Sequence, residues 1–211
     1  MREVYLLSGL GADKRVFDFI DFSDFRTIYI DWIDPVDNES IENYAKRLSG
    51  QITTTRPVVI GVSFGGIMTV EVAKQIETEK IILISSAKTK YDIPFYFRLV
   101  GLLKINRIIP TRFFKTVNGL THWFFGTKTT KEKKLLTTII QDTDTKFMRW
   151  AIDKIVNWKN TTILTNLTHV HGTNDKILPL KTADNKIING GHLMIINKGE
   201  ELSGIIKKVL S

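Results

Sequence analysis

The residues Gly61-Val62-Ser63-Phe64-Gly65 follow an uncharged apolar run, Val58 to Val62, and precede a segment of helical character. Gly-x-Ser-x-Gly between a buried strand and a helix has the form of a nucleophile elbow: the serine is held exposed on a tight turn, and the glycines make room for the backbone. A serine hydroxyl is a weak nucleophile. It needs a base within hydrogen-bond reach, and the base needs a carboxylate to orient it. Of the four histidines, His122 lies in an aromatic-rich stretch, and His169 and His171 alternate along an apolar run where core or strand-end histidines are the common outcome. His192 stands instead in the Gly-rich loop Asn189-Gly190-Gly191-His192-Leu193-Met194, after the last strand-like run and before the final helix. It is the expected general base. The expected acid is Asp175, in the turn His171-Gly172-Thr173-Asn174-Asp175 after the penultimate strand-like run. Asp184 and Asp153 are weaker choices because neither directly follows a convincing strand.

The chemistry also needs donors for a developing oxyanion, whose loss costs about 3 kcal/mol in well-studied hydrolases. The loop Ser8-Gly9-Leu10-Gly11 ends the first strand-like run, and by position the backbone amides of Leu10 and Phe64 are the expected pair.

The elements that must position these residues follow from the apolar pattern. Strand-like runs recur at Val4 to Leu7, Thr27 to Ile30, Val58 to Val62, Ile81 to Ser85, Leu167 to His171 and, weakly, Lys186 to Ile188. Short, continuous, β-branched runs are what strands buried on both faces of a parallel sheet look like. Helical spacing appears at Glu39 to Gln51, capped by Ser40, and at Gly66 to Ile76, Lys146 to Trp158 and Gly199 to Leu210. The Lys146 to Trp158 helix is expected to pack on the sheet. The alternation predicts an α/β fold with a parallel sheet and helices on both faces. One interval breaks the rhythm. Residues 88–145 have no strand-like run and are rich in aromatic and basic residues, and they are expected to form a cap or lid within a single domain spanning 1–211.

Taken together, the chain order of the Leu10 loop, Ser63, Asp175 and His192 resembles the α/β-hydrolase superfamily. The resemblance rests on Gly61-Val-Ser63-Phe-Gly65-Gly66, His171-Gly-Thr-Asn-Asp175-Lys-Ile-Leu-Pro179 and Gly190-Gly-His192-Leu-Met. It implies Ser63 as nucleophile, His192 as base, Asp175 as its orienting carboxylate, and the insertion as the cap that shapes the pocket. The sequence departs from the pattern at Ser8-Gly9, where members usually carry His-Gly, and it starts at the first parallel strand, so a reduced sheet of about six strands is expected. The expected activity is hydrolysis of an ester or thioester of a small hydrophobic acyl substrate. Carbon–carbon cleavage or elimination on the same residues, and a non-catalytic binding protein of the same fold, are the alternatives.

Composition narrows the partners. The 211 residues are 43% hydrophobic and 25% charged, as in an ordinary globular domain. The absence of cysteine excludes disulfides and thiolate metal sites and leaves a cytoplasmic location as the expectation. No cofactor, metal or nucleic acid is expected. The net charge is +8, the 30 basic residues are spread along the chain, and the Lys128 to Lys134 knot reads as a solvated loop or helix start. Contact of the aromatic, basic insertion with a membrane surface is the less favoured reading.

Overall fold

The computed structural model describes residues 1–211, apart from the side chain of Thr111. Six strands, β1 (Arg2–Leu7), β2 (Phe25–Tyr29), β3 (Val58–Val62), β4 (Lys80–Ile84), β5 (Leu167–Gly172) and β6 (Asn185–Ile187), form one sheet in the order β2-β1-β3-β4-β5-β6. Every neighbouring pair is parallel. The order reverses direction between β1 and β3, so the loops leaving these two strands splay apart and open a crevice at the carboxyl edge of the sheet.

Ten α-helices accompany the sheet: α1 (Ile41–Leu48), α2 (Phe64–Ala73), α3 (Phe95–Leu102), α4 (Ile105–Ile108), α5 (Thr111–Phe114), α6 (Gly119–Phe125), α7 (Thr130–Asp142), α8 (Thr145–Val156), α9 (Met194–Asn197) and α10 (Gly199–Leu210). Alternate strand residues feed two cores. Tyr5, Leu7, Val59, Ile81 and Leu83 pack with Tyr44 and Leu48 of α1 and Ile67 and Met68 of α2. Val4, Leu6, Ile60, Ile82 and Ile84 pack on the opposite face with Met194 of α9 and Leu202 and Ile206 of α10. Burial on both faces is why these strands are nearly all apolar.

Helix α1 begins where Ser40 accepts a hydrogen bond from the Asn43 amide at 3.1 Å, the expected cap. It turns its apolar stripe inward. Helix α2 differs, being buried on nearly every side. Helix α8 covers it, and the expectation that this helix packs on the sheet is corrected. Its contacts run chiefly to α3, α4, α5 and α2, and Phe147 and Trp150 set their rings 6.3 and 6.1 Å from that of Phe64. Its apolar stripe therefore closes over the start of α2. Just beyond α8, the Trp158 indole donates to the Glu71 carboxylate at 2.8 Å; Glu71 is 1% exposed and also holds Lys74. This bond ties the segment that follows α8 to α2.

A buried carboxylate that loses a donor bears part of its desolvation cost, about 1–3 kcal/mol. Trp158→Phe, which keeps the ring and removes the N–H, is expected to lower stability in urea unfolding by that amount with the slope unchanged.

Candidate active site

Strand β3 ends in Val62, and the chain reverses at Ser63, whose φ of 52° and ψ of −119° lie outside the regions open to most side chains. Such a conformation costs on the order of 1–3 kcal/mol and persists only when its surroundings impose it. The Ser63 amide donates to the Ile84 carbonyl at 2.9 Å, and the Ser63 carbonyl accepts from Ser86 Oγ at 2.6 Å and from the Gly66 amide at 2.9 Å. Two glycines make the turn sterically possible. A Cβ on Gly61 would lie 2.5 Å from the Gly65 carbonyl oxygen, and one on Gly65 would lie 2.2 Å from that of Ser8.

Asp175 and His192 reach Ser63 from the loops that follow β5 and β6. These loops are joined backbone to backbone: the Thr173 amide donates to the Ile187 carbonyl and the Asn174 amide to the Gly190 carbonyl, each at 2.9 Å. Gly172 permits the approach, since a Cβ there would meet the Gly190 oxygen at 2.2 Å. The result is a continuous chain of contacts. Ser63 Oγ lies 2.8 Å from His192 Nε2, and His192 Nδ1 lies 2.8 Å from Asp175 Oδ2. Asp175 Oδ1 accepts from the Ile177 and Leu178 amides at 2.9 Å each. Burial alone pushes the Asp175 carboxyl up, but the His192 ring and the hydrogen bonds from His171, His192 and Leu178 outweigh it and hold the group well below the usual carboxylate range. With an acceptor-only carboxylate on Nδ1, that nitrogen carries the proton and Nε2 presents its lone pair to the serine.

The other sequence candidates go elsewhere. His122 pairs with Thr127 at 3.1 Å, Asp184 accepts from the His169 amide at 2.7 Å, and Asp153 receives Asn106 and Arg107. His169 and His171, read from the sequence as core or strand-end residues, are buried in β5 but form a polar line behind the acid. His171 Nε2 lies 2.8 Å from the Leu178 carbonyl and 3.2 Å from Asp175 Oδ2; its Nδ1 lies 2.9 Å from His169 Nε2, and His169 Nδ1 lies 3.1 Å from the Thr182 carbonyl. Both ends of this line are acceptors. Filling it takes three ring protons, one more than two neutral imidazoles carry. Burial and the neighbouring His171 and Lys88 push His169 down to about 4. The alternation of two histidines on one face of β5, two and four residues from the turn bearing Asp175, was the available signal.

The Leu10 loop closes the other side. Gly9 sits over Ser63: a Cβ there would lie 3.4 Å from Ser63 Cβ. Ser8 donates its hydroxyl to the Ala12 carbonyl and accepts from the Trp32 indole at 3.1 Å, which pins the loop. Phe64 is the first residue of α2, and its amide has no acceptor within the helix. Leu10 lines the same cavity as Ser63 and His192. That cavity measures about 350 Å³, and apart from Ser63, His192, Thr116 and Thr121 its wall is almost wholly apolar, built from α5, α7 and α8 as well as the loops. The end of α6 grips the histidine loop: the Leu193 amide donates to the Phe125 carbonyl at 3.0 Å, and Gly126, with φ of 74°, comes within a Cβ's reach (3.1 Å) of Gly191.

No family model and no curated protein matches the chain in sequence. Solved structures match it in fold. A thermophilic esterase from Thermogutta terrifontis superposes with a TM-score of 0.73 at 16% identity, over 100% of this chain and 89% of its own. The fold is that of the α/β-hydrolases. A meta-cleavage product hydrolase from Pseudomonas fluorescens (TM-score 0.71, 14% identity, 100% of this chain and 90% of its own) shares it. So does a bromoperoxidase from Bacillus anthracis (0.70, 14%, 99% and 91%). One α/β-hydrolase fold thus carries differently named activities, and the reaction must be argued from the site.

His169 gives the site a pH signature. Its folded value of about 4 lies below the ordinary 6.5, so the unfolded chain binds the extra proton first, and stability falls as pH drops from about 6.5 toward 4. Between pH 7 and 5 this amounts to about 2 kcal/mol. His169→Gln is expected to flatten that part of the urea-unfolding profile; an unchanged slope with pH would contradict it.

Proposed function

We propose that this chain is a serine hydrolase that cleaves an ester or thioester of a small hydrophobic acyl substrate through an acyl-enzyme. The reading is carried by one observation: Ser63 Oγ, 2.8 Å from His192 Nε2, opens on an apolar cavity of about 350 Å³, within the size range of small-molecule sites. In it, Ser63 Oγ attacks the acyl carbon while its proton passes to His192 Nε2, and Asp175 holds Nδ1–H and balances the charge of the imidazolium. The oxyanion is received by the Leu10 and Phe64 amides. The leaving alcohol or thiol takes the proton from His192, and a water activated by the same ring then releases the acid and restores Ser63. Residues 88–145 serve as the cap of a single hydrolase domain, and the reading includes a cytoplasmic location. The esterases among the structural neighbours support it by analogy of fold.

A fluorophosphonate probe read by mass spectrometry is expected to label Ser63 in the native chain and to fail with Ser63→Ala and His192→Ala. Each variant should lose at least about 10⁴-fold in kcat on any ester that is turned over. Labelling without turnover across a panel of esters and thioesters would redirect the reading to non-hydrolytic chemistry or binding. His192 must accept a proton, while Asp175 stays ionised throughout the neutral and mildly acidic range. Activity is therefore expected to fall along a single limb as pH decreases; a flat profile between about pH 5 and 8 would exclude His192 as base.

A further inference from the structure

The positive charge of this protein has one address. Residues 93–131 contain no Asp or Glu and seven of the 30 Lys and Arg; the remaining 23 basic residues against 22 acidic ones leave the rest of the chain at +1. The same segment displays most of the large exposed apolar side chains. Phe95, Leu102, Leu103, Ile108 and Leu120 are 60–80% exposed, and Phe113 and Trp123 more than half. Soluble proteins rarely leave so much apolar surface open without a partner.

Two of them, Phe113 of α5 and Leu120 of α6, line an open groove of about 480 Å³ together with Tyr96 and Phe97 of α3 and Phe124 of α6. The groove leads inward. Phe113, Thr116, Thr121, Phe125 and Ile177 line both it and the cavity that holds Ser63 and His192. Lys104 and Arg112 are charged residues on the same run of short helices, and Arg107 keeps its side chain 60% exposed although it touches Asp153.

We propose that the α3–α6 face docks on an anionic lipid bilayer and that the groove is the path by which an acyl chain passes from the bilayer toward Ser63. Aromatic and aliphatic side chains interspersed with Lys and Arg match the acyl–headgroup boundary of such a membrane. Each basic residue near an anionic surface adds about a fivefold gain in binding. A second copy of the chain fits less well, because a two-fold contact through this face would set the same positive charges against each other. The path to Ser63 rests on the hydrolase reading; the docking does not.

The test is co-sedimentation of the full chain, and of Ser63→Ala, with vesicles of phosphatidylcholine alone or mixed with phosphatidylglycerol, at low and high salt. Both chains are expected to bind the anionic vesicles equally and to be released by about 1 M salt, where the Debye length falls to about 3 Å. Lys104→Glu with Arg112→Glu, and separately Leu120→Ser with Trp123→Ser, should each weaken binding at least about tenfold while circular dichroism and the unfolding midpoint stay unchanged. No binding to either vesicle, or equal binding to both, overturns the proposal. So does self-association in analytical ultracentrifugation that the Leu120→Ser, Trp123→Ser variant abolishes without any effect on vesicle binding. Because Ser63→Ala binds in the expected outcome, a chain that docks but hydrolyses nothing counts against the hydrolase reading alone.

Discussion

The site depends on holding the end of β3 in a backbone conformation that it would not adopt alone. At Ser63 the chain leaves the sheet with positive φ, and everything within one residue's reach keeps it there. The Ile84 carbonyl takes the amide, the Ser86 hydroxyl supports the carbonyl, and Gly61 and Gly65 leave the space through which β1 and α2 come together. A strained turn of this kind needs a rigid frame, and a parallel sheet buried on both faces supplies one. The packing of α8 over Phe64 closes the frame from above, so this helix also stabilises the turn it covers.

The second requirement is a buried polar line with nearly every member satisfied. From Ser63 Oγ to the Thr182 carbonyl it passes through His192, Asp175, His171 and His169, each contact 2.8–3.2 Å long. In low dielectric such a line stiffens its members, and an unpaired one is costly. This accounts for two histidines in the middle of a buried strand. The Asp175 carboxylate sits at the centre with both oxygens fully used, so its orientation toward His192 is set from four directions at once.

The insertion joins two properties that the rest of the molecule keeps apart. Its inner face supplies the apolar wall of the cavity through Phe114, Leu136 and Ile140, which form a small core with Met148 of α8 and Leu193 of the histidine loop. Its outer face carries the exposed aromatic side chains and the excess of positive charge. The helices there are short, four to eight residues from α3 to α6. A run of short helices can follow a curved surface and turn apolar residues both inward and outward.

The sequence by itself determined the sheet and the three side chains that converge at its edge. Strands buried on both faces leave continuous β-branched runs, a helix with one buried face leaves a 3.6-residue stripe, and a serine on a tight turn leaves its glycines, so each is readable locally. Six runs correspond to six strands, with ends shifted by one or two residues. What only the tertiary structure decided are relations between segments far apart in the chain. Nothing local in Leu167-Thr-His-Val-His announces that both histidines stand behind Asp175, because that depends on the register of β5 with β6 and on the turn that follows. The placement of α8 on α2 rather than on the sheet was equally hidden: its stripe specifies burial, and only the assembled fold, with α8 over Phe64, specifies against what. Periodicity records how much of an element is covered, whereas the identity of the cover is a property of the assembled chain.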